Sequence, residues 1–325
     1  MSREWAVRLA VVLAAVAVTF GGALFTDRVF YQRDILNYWT PHIEVFVRAV
    51  AEGSWPLWNP WGGFGEPLLA DPNFSLAYPP TWLNLVMSPP AYYKLLVVSH
   101  CAWGGAGVLL LARQRGLGAD ASLVAASAYC LSGPFLSTAN LFHHFLGAAW
   151  MPWVLLAFEG LLRAPSAGAA LGLGAAAAMQ VLAGSGDACL ITLLAGAFLV
   201  SGAGGARGGW SFSAPTLRAL ALALVLAVGL SAVQWMPTAE LVAGSSRLLP
   251  QSHPFYWSLH PASLPDFFAH ELVSRLPLSA TARSALFEGR EPLLRSLYWG
   301  PLVVVLALLG AAMPGRGRVA LLAGM

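Results

Sequence analysis

Charge is what this sequence has least of. Only 10% of its 325 residues are Asp, Glu, Lys or Arg, against 58% hydrophobic, where soluble domains carry roughly 25% charged positions. That balance excludes an ordinary soluble domain and predicts a polytopic membrane protein. Lysine is confined to Lys94, and the net charge of +3 comes from arginines scattered along the chain. The clustered basic footprint of a nucleic-acid binder is missing, so no nucleic-acid partner is expected. Cysteine is scarce as well: Cys101, Cys130 and Cys189 sit in apolar runs without CxxC spacing, which excludes a disulfide framework or a zinc site and leaves them as small buried hydrophobes. The GGFGEP run over 62–67 follows no predicted strand and lacks the third glycine of a dinucleotide fingerprint.

Long apolar runs are what the chain does have. A bilayer core about 30 Å thick requires about 20 apolar residues in a helix. Windows of that kind lie at about 8–25, 91–112, 120–138, 141–162, 167–184, 187–203, 217–236 and 299–313, and another begins at Val319. The first window follows Arg3 and Arg8 and has two readings, a cleaved signal sequence or an uncleaved anchor; its long apolar run and the lack of a small-x-small site before Asp27 favour the anchor.

Arginine placement sets the sidedness. Arg3 and Arg8, Arg113 and Arg115, Arg163, Arg207 and Arg218, and Arg316 and Arg318 fall on one side when the spans alternate. The opposite short connections, near Ser137–Asn140 and Gly184–Asp187, carry no Lys or Arg. By the positive-inside rule the N-terminus is cytoplasmic. The expected organisation is therefore one transmembrane domain over 1–325, with exterior loops at 26–90 and 237–298.

Polar residues then gather outside: Asp27, Asp34, Glu44, Glu66 and Asp71 in the first loop, Asn140, His143 and His144 at the mouth of the fourth span, Asp187 at the sixth, Gln234 and Glu240 at the seventh. Ionisable groups beside a membrane point to function by default. Residues 33–50 show helical spacing of Ile35, Tyr38, Trp39, Ile43, Phe46, Val47 and Val50, which predicts an amphipathic helix in the interface, kinked or broken by Pro41. Residues 57–80 are rich in Pro, Gly and aromatics. Backbone of that irregular kind persists at membrane depth only when packed on protein or lining a wet cavity, so it is expected to fold over the outer helix ends as a lid.

The order D-I-x-x-Y-W-x-P (Asp34 to Pro41), G-x-x-P-L-W-N-P (Gly53 to Pro60), G-G-x-G-x-P-x-L-A (Gly62 to Ala70), Y-P-P (Tyr78 to Pro80), L-S-G (Leu131 to Gly133), H-H followed by W-x-P-W (His143, His144, Trp150 to Trp153), A-G (Ala183, Gly184) and A-V-Q-W-x-P-T-x-E (Ala232 to Glu240) resembles the YfhO family of bacterial membrane proteins. The family is similar in layout to the GT-C glycosyltransferases. The resemblance implies an all-α polytopic protein, a GT-C-like bundle of about 8–9 transmembrane helices with a long extracytoplasmic loop after the first helix, in the bacterial inner membrane. It also implies transfer of a sugar from a polyprenyl-phosphate donor to a cell-envelope glycan acceptor. Two departures stand out. After Ala183-Gly184 the chain has Ser185, Gly186 and Asp187 where relatives often carry His-Pro-Gln, and it stops at Met325, where family members continue, so a fragment is expected.

The resemblance gives the catalytic base role to Asp34, an exterior carboxylate just after the first span; the competing reading is a salt pair with Arg33 or a helix N-terminal carboxylate. Tyr38, Asn59, Glu66, Asp71, His143, His144, Gln234 and Glu240 are the candidate substrate-binding residues. For Glu66 and Asp71 loop structure competes with chemistry, because Asp-Pro favours turns. Adjacent helical residues point about 100° apart, so at most one of His143 and His144 faces a shared site, where it contacts phosphate, a divalent metal (Mg or Mn) or only structural partners. Arg33 and Arg247 are candidates for the donor phosphate, and Gln234 and Glu240 also fit a plain helix terminus. Two other functions stay open: a transporter or flippase for a lipid-linked substrate, and a non-catalytic remnant. Apolar span centres and carboxylates at one face favour the transferase over a transporter, whose ionisable groups would sit near the midplane on broken helices.

Overall fold

Apolar runs of this length, in a chain with few charges, satisfy their backbone groups internally as helices. A computed structural model describes residues 3–201, 212–245, 256–273, 275–290 and 293–312, and they are mostly helical. The α-helices are α1 (Arg3–Thr19), α2 (Gly21–Leu24), α3 (Thr40–Ala51), α4 (Pro89–Gln114), α5 (Ala119–Cys130), α6 (Gly133–Ser137), α7 (Phe142–Arg163), α8 (Ala167–Leu182), α9 (Gly186–Val200), α10 (Ala214–Leu230), α11 (Ala232–Ala243), α12 (Ala280–Leu286) and α13 (Pro301–Ala312). The central helices α4 and α7 pack on each other, α4 also on α1 and α5, and α7 on α8 and α9; α10 packs on α8.

Glycine lets these helices approach. A methyl group at Gly105 of α4 would meet Val12 of α1 at 2.8 Å and the Cys130 sulfur of α5 at 3.0 Å, and one at Gly147 of α7 would meet Ala188 of α9 at 2.7 Å. Lipid offers no hydrophobic drive between helices, so close backbone packing through small residues takes its place. Cys101 and Cys130 are buried in this core, as expected, with the Cys101 thiol donating to the Cys130 carbonyl.

Helices α4 and α7 are long and apolar enough to cross a membrane, and α10 with α11 makes a third candidate if that pair, bent by 69°, is one span. Helices α8 and α9 are apolar but shorter. The window at 120–138 is not one straight helix: α5 ends at Cys130, and at 12 residues it is only about 18 Å long. Ser132 then caps α6 by accepting from the Phe135 amide, and a 3₁₀ turn over Thr138–Asn140 leads into α7. The seventh window likewise bends at Ser231, whose side chain donates back to the Ala227 carbonyl. Both breaks fall in the part of the window nearest the end that carries the lid. The window starting at Val319 lies outside the described residues, as do Arg207, Arg247, Arg316 and Arg318.

The two ends of the bundle differ in chemistry. At one end Arg8 pairs with Asp120 at 2.6 Å, Arg113 lies over the Trp5 ring, and Arg115 meets Glu159 at 3.0 Å with Arg163 nearby at 3.6 Å. Side chains of Arg115 and Glu159 are only 4% and 3% exposed. Arg8, Arg113, Arg115 and Arg163, four of the arginines grouped by alternation, therefore share one end.

At the other end sits the first loop. Pro41 has no N–H for the carbonyl four residues back, and the chain enters α3 through a π turn over Ile35–Trp39, with Thr40 donating from both backbone and hydroxyl to the Ile35 carbonyl. Pro41 thus lies in the first turn of α3, just where the π turn gives way to α-helix. The apolar face of this segment packs on protein: Trp39 lies against Tyr92, Tyr93 and Phe142, and Phe46 against Trp82. A two-residue hairpin follows, β1 (Trp58–Asn59) antiparallel to β2 (Glu66–Pro67), with Asn59 opposite Glu66.

Candidate functional site

The lid is held from below at three places. Ser75, fully buried and left-handed at φ 49°, donates to the Ala183 carbonyl at 2.8 Å. Gly184, at φ +87°, lies so close to the Pro72 carbonyl that a side chain there would overlap it. From α11, Gln234 donates to the Leu69 carbonyl at 3.1 Å and Thr238 to the Ala70 carbonyl at 2.8 Å. The A-G and Q-W-x-P-T segments are thus the supports on which residues 69–75 rest.

A buried chain of hydrogen bonds carries the lid into the bundle. His100 Nδ1 faces the Leu96 carbonyl at 2.9 Å, so that nitrogen carries the proton and Nε2 accepts. Tyr78 therefore donates to His100 Nε2 at 2.6 Å, and its oxygen accepts from Trp150 Nε1 at 2.8 Å. Burial pushes the Tyr78 phenol up to about 12, which keeps it a donor at neutral pH.

Above these supports the polar residues meet. Tyr38 donates to Asp71 Oδ2 at 2.9 Å, while Asp71 Oδ1 accepts from the Asn73 amide and caps the 3₁₀ turn Pro72–Phe74. Burial first, and then the Asp71 charge, push the Tyr38 phenol well above its ordinary range. His42 stacks on Phe74 with ring centroids 4.1 Å apart. Its Nδ1 lies 2.6 Å from the Tyr38 carbonyl and its Nε2 2.6 Å from Glu66 Oε1. The same Glu66 oxygen accepts from Asn59 Nδ2 at 2.8 Å. On α7, His144 Nδ1 pairs with Asp187 Oδ2 at 2.8 Å, and Ser185 donates to Asp187 Oδ1 at 2.6 Å.

The candidate residues sort by these contacts. Tyr38, Asn59, Glu66 and Asp71 come together in the lid, and His144 stands at the mouth of α7 on which residues 72–74 pack. Its neighbour His143 stacks against it, centroids 4.0 Å apart. Asp34 is exposed at the start of the π turn, with no hydrogen bond capping that turn. The salt pair with Arg33 does not form; Arg33 instead donates to the Leu293 carbonyl and lies over the Trp257 ring. Gln234 is a buried support of the lid, and Glu240 is exposed on α11. Two residues that sequence reasoning left without a role join the site: His42, legible only as one polar position on an amphipathic wheel, and Asp187, whose side and span end were legible but not its partner.

Among the described residues no three His, Cys, Asp or Glu side chains converge as a metal ion would require. The described residues therefore offer no ligand set for a divalent cation. A cleft of about 540 Å³ opens between the end of α1, residues 29–35, α6 and residues 295–298, lined by Phe30, Ile35, Leu136, Asn140 and Arg295 among others and by none of the cluster's own residues.

Compared with known proteins, the chain matches no family model, no curated protein and no solved structure.

Proposed function

We propose that this chain moves a sugar from a polyprenyl-phosphate donor to a cell-envelope glycan acceptor, at the lid-bearing end of its helix bundle. In this reading the bundle has about 8–9 spans in a GT-C-like layout, the arginine-rich end faces the cytoplasm of a bacterial inner membrane, and the lid faces outward. The observation that carries the reading is the gathering of Glu66, Asp71 and Asp187, each bonded to a Tyr or His, at the end opposite the arginines. Glycosyl transfer requires a base for the acceptor hydroxyl and groups that hold the donor in line, and carboxylates locked by hydrogen bonds supply fixed geometry of that kind. Trp55, Trp58, Trp61 and Phe64, close in sequence to Asn59 and Glu66, have exposed rings that offer apolar faces at this end.

Transport is the second reading, favoured by the 69° bend between α10 and α11. Deleting the gene from its host and hydrolysing the envelope polymers separates the two. The transferase reading expects one monosaccharide substituent to vanish from an otherwise intact polymer and to return on complementation. An unchanged monosaccharide profile would sink it, and loss of the polymer itself would favour transport.

A further inference from the structure

The geometry points to Glu66, held by His42 and Asn59, as the base that receives the acceptor's proton. This assignment rests on the transferase reading and sharpens it. Four carboxylates of the lid end, Asp34, Glu66, Asp71 and Asp187, differ in how their oxygens are used. Asp71 spends Oδ1 on the Asn73 amide and Oδ2 on Tyr38; Asp187 spends Oδ1 on Ser185, and its Oδ2 is covered by the His144 ring in an ion pair at 2.8 Å. Asp34 is exposed and has no hydrogen bond capping its turn. Glu66 alone takes two donors, His42 Nε2 and Asn59 Nδ2, on the single oxygen Oε1. Its other oxygen, Oε2, receives no hydrogen bond from any described residue, and the side chain is 40% exposed against 12% for His42. A base needs a fixed carboxylate with one lone-pair site open to the reacting hydroxyl, and of these four Glu66 has both properties.

The surroundings are shaped for that orientation. Asn59 is 4% exposed, and its Oδ1 accepts from the Trp61 amide, so the amide nitrogen is left aimed at Glu66. His42 cannot rotate freely: Phe74 covers one face, and with a carbonyl oxygen at Nδ1 and a carboxylate oxygen at Nε2 the ring fits both acceptors as an imidazolium that donates from each nitrogen. Gly62 gives room for the carboxylate, since a methyl group there would sit 2.7 Å from Glu66 Cδ and closer still to Oε1. Asn59 and Gly62 in the lid and His42 on α3 thus serve one carboxylate.

In the step itself, the acceptor hydroxyl oxygen forms its bond to the anomeric carbon as the bond from that carbon to the donor phosphate oxygen breaks. The electron pair of the broken bond leaves on the phosphate. The hydroxyl proton passes to Glu66 Oε2 and is later lost to water. His42 is a positioning residue: it holds Oε1 and does not touch the substrate.

The test uses the full-length gene returned to a deletion strain, reading how fast the missing substituent reappears on the envelope polymer after induction, with protein amount measured alongside. Glu66→Gln keeps an acceptor oxygen for His42 and Asn59 but not the base, so the rate should fall about 100-fold or more, the range for a general base, at normal protein amount. Glu66→Ala should regain activity with sodium formate in the medium and not with sodium chloride, because the small carboxylate occupies the vacated place. His42→Ala and Gly62→Ala should each slow transfer by roughly tenfold through misplacement, and His42→Gln, which retains an N–H donor, should recover most of that loss. A Glu66→Gln rate above a tenth of the parent, or no benefit from formate in Glu66→Ala, overturns the assignment while leaving the transferase reading intact. If the substituent persists in the deletion strain, both fall.

Discussion

Replacing Gly184 by Ala tests whether the lid is seated on the bundle as described. Two costs add. An L-residue at φ +87° occupies left-handed backbone at about 1–2 kcal/mol. The new methyl group also overlaps the Pro72 carbonyl, so residues 72–75 must lift away from the α8–α9 turn, and the buried Ser75 to Ala183 bond, 2.8 Å long, is lost. Leaving buried polar groups unpaired costs about 1–3 kcal/mol. The sum is about 2–5 kcal/mol, much of it local to the lid. Gly186, two residues on, has open space around it and a normal backbone, so Gly186→Ala is the matched control. In detergent, the Gly184→Ala protein should denature at a clearly lower temperature, and residues 57–80 should be cut by protease before the helices are, while Gly186→Ala behaves as the parent. If the two variants denature together and the lid stays protected in both, the lid is not anchored on Gly184 and the assembly of the site argued above is wrong.

Other expectations follow from single contacts. Glu159→Gln removes the charge that balances the 4%-exposed Arg115; breaking such a buried pair costs about 3–5 kcal/mol, and an apolar replacement of both residues should cost less, as a double-mutant comparison of denaturation midpoints would show. Tyr78→Phe strips His100 and Trp150 of their shared oxygen and should cost about 1–3 kcal/mol. The same tyrosine sets an alkaline limit: its folded value of about 12 lies above the ordinary phenol value of 10.0. Its contribution to stability is therefore complete below pH 10 and lost as pH rises toward 12. Tyr78→Phe should accordingly flatten the fall in stability over that window. Gly105→Leu would drive α4 off Val12 and Cys130 and, by overpacking, cost about 1–3 kcal/mol or more, seen as weaker helix association in detergent.

The helical class and the places where helices run were legible because hydropathy acts locally: a run either has about 20 apolar residues or it does not. Arg8, Arg113, Arg115 and Arg163 were legible as one end for the same reason, since a helix carries its terminal charges to a side fixed by counting spans. The supporting role of Gly184 was not legible, because it depends on a carbonyl more than a hundred positions earlier in the chain. The break at Ser132 was also hidden, for Leu131, Ser132 and Gly133 interrupt the apolar pattern no more than many continuous spans tolerate.

The sequence by itself therefore determined that this is a helical, membrane-suited chain, with most of its carboxylates placed towards one end and the arginines of its short connections at the other. Tertiary structure alone decided which of those groups touch. Period and hydropathy say which face and which end a side chain occupies, but the pairing of His42 with Glu66, Tyr38 with Asp71 and His144 with Asp187 depends on the path of an irregular lid. That path is set by prolines, left-handed residues and distant carbonyls acting together, and no local rule carries it.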